Sequence, residues 1–244
     1  MDDVREGTPI ADLATVVPGR TPADAAQAVL SEPALSCWLL STENLSLAAC
    51  LVRMGAAPKR HALLMQCDLR EHPPTNASDG RLTFAPLPRE ADPALWKAVL
   101  PGWRAAFPPD HPDHFAGDDA QAIAFHLRLV DGSELGPLHR SSTLLVDQDG
   151  VAVAGIVVNV RPQDPPLGGP WIADIWRDPT ETGSGLGGLL IDHAKTLLVE
   201  DGHAKLTLAV TSGNPARHSY ERAGFRVFIE SKTLRLPEYV RRRG

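Results

Sequence analysis

Cysteine is scarce in this chain of 244 residues: only Cys37, Cys50 and Cys67 occur, and their spacing matches neither a zinc site nor a disulfide framework. They read as buried apolar residues. Basic charge is also in short supply, with 24 Lys and Arg against 30 Asp and Glu and a formal net charge of −6. A general attraction to phosphate backbones or anionic lipid needs the opposite balance, so nucleic acid is not expected as a partner. No run of about 18 apolar residues occurs, and no basic segment followed by an apolar stretch opens the chain, where Met1-Asp2-Asp3-Val4 is acidic. These absences remove the membrane as a partner and make the cytoplasm the expected location. With 43% hydrophobic and 22% charged residues, the chain can bury an ordinary core as one large domain or two small ones.

The segment from Glu71 to Gly80, with Pro73, Pro74 and short polar residues, has the composition of a linker, so the chain is cut there into 1–78 and 79–244. Beyond it, Arg81 to Leu87 alternates like a strand, and Asp92 to Phe107 has apolar residues at helical spacing behind an Asp-Pro start. A loop rich in proline and aspartate, Pro108 to Asp119, leads to a helix from Asp119 to about Val130. Strands follow at Ser142 to Asp147 and Val151 to Val160, joined by the hairpin signal Asp149-Gly150. Trp171 to Arg177 reads as a strand, Leu186 to Glu200 as a helix, Lys205 to Thr211 as a strand, Pro215 to Ala223 as a helix stopped by Gly224, and Phe225 to Leu236 as a last strand. The expected order is β-α-α-β-β-β-α-β-α-β.

Between the strand ending at Arg177 and the helix beginning at Leu186 lies Thr182-Gly183-Ser184-Gly185-Leu186-Gly187-Gly188, which spells G-x-G-x-x-G. A dinucleotide-binding unit would end its next strand with an acidic residue, but Lys205 to Thr211 runs into Ser212-Gly213-Asn214. Only about thirty residues remain after that strand, too few for the rest of a doubly wound sheet. Packing seldom demands four glycines in six positions. Free amides at a helix start, without side chains in the way, form a site for a pyrophosphate.

From here onward the chain resembles the GCN5-related N-acetyltransferases, whose cofactor motif is Arg or Gln, two residues, Gly, any residue, then Gly or Ala. Gly185-Leu186-Gly187 fits its second half, whereas Thr182 stands where Arg or Gln is usual. Ile172 to Pro179 looks like the family's fourth strand. Asn214-Pro215-Ala216-Arg217-His218-Ser219-Tyr220-Glu221-Arg222-Ala223-Gly224-Phe225 is similar to the family's Asn-Pro-Ala…Tyr-Glu-Arg-x-Gly-Phe segment. The resemblance, over roughly residues 80 to 244, implies an α/β fold with a mixed central sheet flanked by helices, preceded here by a small α/β N-terminal unit. It implies acetyl-CoA as acyl donor, held by Thr182 to Gly188, by the main chain of Ile175, Trp176 and Arg177, and by Asn214 and Arg217.

The resemblance also places Tyr220 beside the departing sulfur, where a phenol that is protonated at neutral pH can serve as acid. The alternative is a tyrosine that packs under the last strand. Asp174 stands where relatives carry a carboxylate and would help deprotonate an amine, directly or through water, or it is a solvated strand-end aspartate. Asp110, Asp113, Asp118 and Asp119 border the acceptor side, either favouring a cationic amine or forming a solvated acidic loop. Pro112 between His111 and His114 breaks the regular helix face that a metal pair would need, so no metal is expected. Trp96, Trp103, Trp171 and Trp176 are candidates for a pocket wall or for core, and His218 either touches the cofactor or faces solvent.

In the first segment, Thr21-Pro22 opens a helix, Leu35 to Leu40 reads as a strand, Asn44 to Gly55 as a helix and Arg60 to Leu69 as a strand. Asn44…Leu51…Gly55-Ala56 is similar to the family's Asn…Tyr…Gly-Phe helix, with Leu51 in place of the tyrosine. This half reads as a silent, degenerate partial acetyltransferase unit or as an unrelated α/β cap. It covers the main sheet or makes the contact of a homodimer. Two functions stay open: an enzyme that acetylates the primary amine of a small molecule, peptide or protein by direct transfer, or a sensor that binds acyl-CoA without turnover.

Overall fold

A computed structural model describes residues 3–5, 8–75, 80–164, 166–180 and 185–239. The chain divides into two compact units, residues 1–64 with 227–244, and residues 65–226. The divisions fall after Leu64 and after Arg226, whereas the sequence cut lies at 78.

The first unit begins with two short strands that its sequence pattern does not announce, β1 (Asp3–Arg5) and β2 (Thr8–Ala11). Helix α1 (Pro22–Leu30) starts at the foreseen place because Thr21 and Asp24 close a capping box. The strand expected over Leu35 to Leu40 is displaced: Pro33 opens a 3-10 turn, Pro33–Leu35, and β3 covers Leu39–Thr42. Cys37, with φ of 62°, separates the two and is exposed, unlike Cys50 and Cys67, so the reading of all three cysteines as buried holds for two. Helix α2 (Leu45–Arg53), capped by Asn44, and the long strand β4 (Ala57–Asp68) follow. Strand β10 (Arg226–Arg235) completes the order β1-β2-β3-β10-β4.

The second unit follows the expected order throughout. It contains β5 (Thr83–Pro86), α3 (Pro93–Ala106), α4 (Asp119–Asp131), β6 (Thr143–Val146), β7 (Ala152–Arg161), β8 (Gly169–Arg177), α5 (Leu186–Glu200), β9 (Lys205–Thr211) and α6 (Ala216–Arg222). Asp147 shapes the β6–β7 hairpin, its Oδ1 accepting from the amides of Asp149 and Val151 while Gly150 takes φ of 78°. Strands β5 to β8 pair antiparallel in sequence order, and β9 adds in parallel beside β8. The result is a mixed sheet, with Met65–Asp68 of β4 next to β9.

On one face of this sheet, Trp96, Val99, Leu100 and Trp103 of α3 and Ala122, Leu129 and Val130 of α4 pack with Leu144, Val157 and Trp176 of the strands. Burying those apolar side chains is the main favourable term for this half of the fold. Trp176 lies over Gly155, where a Cβ would come within 2.7 Å of its indole nitrogen. Helix α5 packs on β6, β7 and β8. Strand alternation turns the buried Ile156 and Val158 away from the α3 side. Among the described residues no helix is long and apolar enough to cross a membrane.

Candidate active site

Strands β8 and β9 part company. Their parallel pairing is confined to Trp171 with Thr207 and Ile172 with Leu208, although both strands continue to Arg177 and Thr211. A register shift accompanies the parting: Val157 pairs with Asp174 and Val158 with Ile172, so Ala173 is an extra residue on β8. Beyond it, Asp174 to Arg177 pair with β7 on one side only among the described residues. Backbone groups on the β9 side of Ile175, Trp176 and Arg177 therefore face an opening in which an extended ligand arm could take the place of a strand.

The next element in the chain after β8 is α5. Gly185 is its N-cap with φ of 104°, a left-handed conformation natural to glycine, and among the described residues no side chain caps the helix. The amides of Leu186, Gly187 and Gly188 begin the helix and have no partner within it. A Cβ added at Gly185, Gly187 or Gly188 would meet nothing within 4 Å. Packing among the described residues therefore does not account for Gly187 and Gly188, and the open cradle fits a pyrophosphate on the positive end of the helix. Thr182, Gly183 and Ser184 lie outside the described residues.

Strand alternation sends Asp174 and Trp176 to the α3 side. The Asp174 side chain is 10% exposed, and its Oδ2 accepts the Trp103 indole N–H at 2.7 Å and lies 2.9 Å from His126 Nε2. His126, 1% exposed, is stacked on Trp96 with centroids 4.1 Å apart and meets the Trp103 edge at 4.8 Å. Sequence reasoning passed over His126, although a signal existed: it lies on the same helical stripe as Ala122, Leu129 and Val130, a polar ring among buried apolar neighbours. All four tryptophans in question are buried. Trp96, Trp103 and Trp176 belong to the α3–α4 core, and Trp171 carries the Arg161 guanidinium 4.4 Å from its ring centre.

Tyr220, half-buried on α6, packs edge to face against Phe225 at 6.1 Å. Burial holds its phenol above the ordinary tyrosine range, and Asp113 and Asp174 add to the effect, since a tyrosinate would stand near two carboxylates. The phenol thus keeps its proton throughout the physiological range.

Asp113 reaches this region from the α3–α4 loop. Its carboxylate accepts from the Thr211 hydroxyl at 2.5 Å, the Asn214 side-chain amide at 2.7 Å and the Thr211 amide at 3.4 Å. Asn214 is buried, and its Oδ1 accepts the Ala216 amide at 2.8 Å, so both ends of its side chain are used in joining β9, α6 and the loop. The loop is also held from α3, where Arg104 donates to the carbonyls of Phe115 and Gly117 and to Asp119. Arg217 is turned to Glu221 at 2.8 Å, and His218 is exposed beside the same carboxylate. His114 Nδ1 donates to the Phe107 carbonyl, and His111 Nδ1 accepts the Asp113 amide. Among the described residues no group of three His, Cys, Asp or Glu side chains gathers for a metal ion.

A sequence model of the acetyltransferase (GNAT) family matches residues 96–225. A comparison with curated proteins finds no match. Solved structures share the fold, among them a GCN5-related N-acetyltransferase from Sphaerobacter thermophilus, with 18% identity, a TM-score of 0.57 and coverage of 85% of this chain and 64% of that one. A Drosophila protein has 15% identity and a TM-score of 0.61, over 96% of this chain and 72% of its own. The tandem GNAT protein from the clavulanic acid biosynthesis pathway has 15% identity and a TM-score of 0.59, over 93% and 74%. This chain therefore spans less than two thirds of the length of the Sphaerobacter protein. The family match covers more than half of the residues and includes β8, the start of α5, β9 and Tyr220, and the chain belongs to the acetyltransferase (GNAT) family.

Proposed function

We propose that the chain carries out the acyl-CoA-dependent acetyl transfer general to its family, with acetyl-CoA as donor and a primary amine of a small molecule, peptide or protein as acceptor. The observation that carries this reading is the parting of β8 from β9, together with the glycine start of α5 and the Asp174 carboxylate that acts on the Tyr220 phenol. Gly185, Leu186, Gly187 and Gly188 would hold the pyrophosphate, and the unpaired edge of Ile175 to Arg177 the pantetheine arm. When bound, acetyl-CoA supplies a thioester acyl group.

The chain's own groups supply the rest. In this reading Asp174 accepts a proton from the acceptor's ammonium, leaving a neutral amine as nucleophile. Tyr220 keeps its proton until negative charge develops near it and then donates to that charge. A sensor without turnover has no need of such a donor, which favours the enzyme. The first unit remains a candidate degenerate partial acetyltransferase. This is supported by its helix α2, which follows Asn44 much as α6 follows Asn214, each Asn Oδ1 accepting a backbone amide at the helix start, and by the tandem arrangement of the clavulanic acid pathway protein.

Calorimetry with acetyl-CoA and thiol release with a panel of primary amines test the proposal. Wild type should bind and release thiol, and Tyr220→Phe should bind equally while turnover falls at least about a hundredfold, the lower bound for losing a general acid. Absence of acetyl-CoA binding would overturn the cofactor reading. Unchanged turnover in Tyr220→Phe would remove the tyrosine from the chemistry.

A further inference from the structure

His126 has a fixed proton arrangement. Its Nδ1 lies 2.8 Å from the carbonyl of Ala122, which can only accept, so Nδ1 carries a hydrogen. Its Nε2 lies 2.9 Å from Asp174 Oδ2. Without a second proton, a nitrogen lone pair would oppose a carboxylate oxygen at that distance in a site where both side chains are nine-tenths or more buried. One proton therefore lies between Nε2 and Oδ2, and with it on Nε2 Asp174 is a carboxylate paired with an imidazolium, so that Oδ1 can still accept a proton. The same oxygen accepts the Trp103 indole N–H at 2.7 Å. Oδ1 takes no hydrogen bond among the described residues.

We infer that His126 is a positioning residue for Asp174: with Trp103 it engages Oδ2 and leaves Oδ1 as the oxygen that receives the acceptor amine's proton. The inference rests on the transferase reading above. His126 itself cannot pass a proton onward, because its far nitrogen ends on a backbone carbonyl. The step balances at Oδ1, where an N–H bond of the ammonium breaks, its electron pair stays on nitrogen and an O–H bond forms, and that proton then leaves to water. Among the described residues, Trp103 from α3 and His126 from α4 contact Asp174, and Tyr220 of α6 lies within electrostatic reach of both Asp174 and Asp113. A positively polarised donor at Oδ2 offsets the crowding of negative charge that Asp113 and Asp174 create around the phenol.

Proton and nitrogen NMR of the full chain without ligand is the first test. In wild type, His126 should show a protonated Nδ1 and an Nε2 signal displaced by a shared, low-field proton. In Asp174→Asn, Nε2 should move into the unprotonated range and the Trp103 indole proton should move upfield. Identical Nε2 and indole shifts in the two folded proteins would overturn the inference.

The second test compares His126→Gln, which keeps an N–H donor near the place of Nε2, with His126→Phe, which removes it. With a polyamine, an arylethylamine, an amino sugar and a lysine peptide as probes, kcat/KM should fall at least about tenfold in the Phe variant and stay within about threefold in the Gln variant, as loss or retention of a charge-assisted hydrogen bond requires. Equal loss in two variants that still bind acetyl-CoA would overturn the positioning role. If wild type does not bind acetyl-CoA, the transferase reading fails, and the spectra still decide on the shared proton.

Discussion

Asp113 shows how much one side chain can organise. It gathers Thr211 and Asn214 from the end of β9 and the start of α6, and it opposes ionisation of Tyr220. Hydrogen bonds to a charged acceptor are worth about 1.5–3 kcal/mol each when shielded, and half-burial reduces that. Asp113→Ala should therefore lower stability by about 1–2 kcal/mol in chemical denaturation, and Asp113→Asn by less. An alanine variant as stable as wild type would show that the loop is held elsewhere. The cysteines offer a simpler check. Cys37 is exposed, whereas burial raises the Cys67 thiol and Cys50 is covered. A thiol reagent at neutral pH should label one cysteine rapidly in the native protein and three after unfolding, and fast labelling of two would contradict the packing around Cys67 or Cys50.

At the scale of elements, the parting of β8 from β9 matters most, because it turns backbone groups normally consumed by a sheet into potential ligand contacts. The start of α5 makes a separable prediction. Gly185 needs its left-handed conformation, so Gly185→Ala should cost about 1–2 kcal/mol of stability. Gly187 has open space above it, so Gly187→Ala should leave thermal stability unchanged or slightly raised while weakening acetyl-CoA binding about tenfold or more by filling the cradle. A loss of stability without loss of affinity would mean that the glycine serves the fold.

For the molecule as a whole, histidine burial sets a pH dependence. His139 is held below the ordinary value of 6.5 chiefly by burial, with His203 adding to it and Asp201 opposing. His193, stacked on Phe84 at 4.1 Å, is held below 6.5 by burial, with Glu200 opposing. Below 6.5 the unfolded chain binds protons at these positions that the native chain resists. Stability should therefore be fully present above pH 6.5 and decline as pH falls through the depressed values. Urea midpoints at pH 7.5 and 5.5 should differ in that direction, and a His139→Gln, His193→Gln double variant should show a smaller difference. A midpoint that does not move with pH would sink this account.

Local pattern was enough to read the element order from β5 to β10, the glycine start of α5 and the Asn214-to-Phe225 segment. Capping residues, helical and alternating periodicity and turn glycines act over a few neighbours, and those signals survive in one dimension. The sequence also marked Tyr220 and Asp174 as candidates. Tertiary structure alone brought Trp103 and His126 to Asp174 across 71 and 48 residues, and Asp113 to Thr211 and Asn214 across 98 and 101. The displaced β3 and the early strands β1 and β2 were hidden for the same reason. Short strands are defined by the neighbours they pair with, and a buried histidine acquires its proton arrangement only when the fold supplies both a carbonyl and a carboxylate.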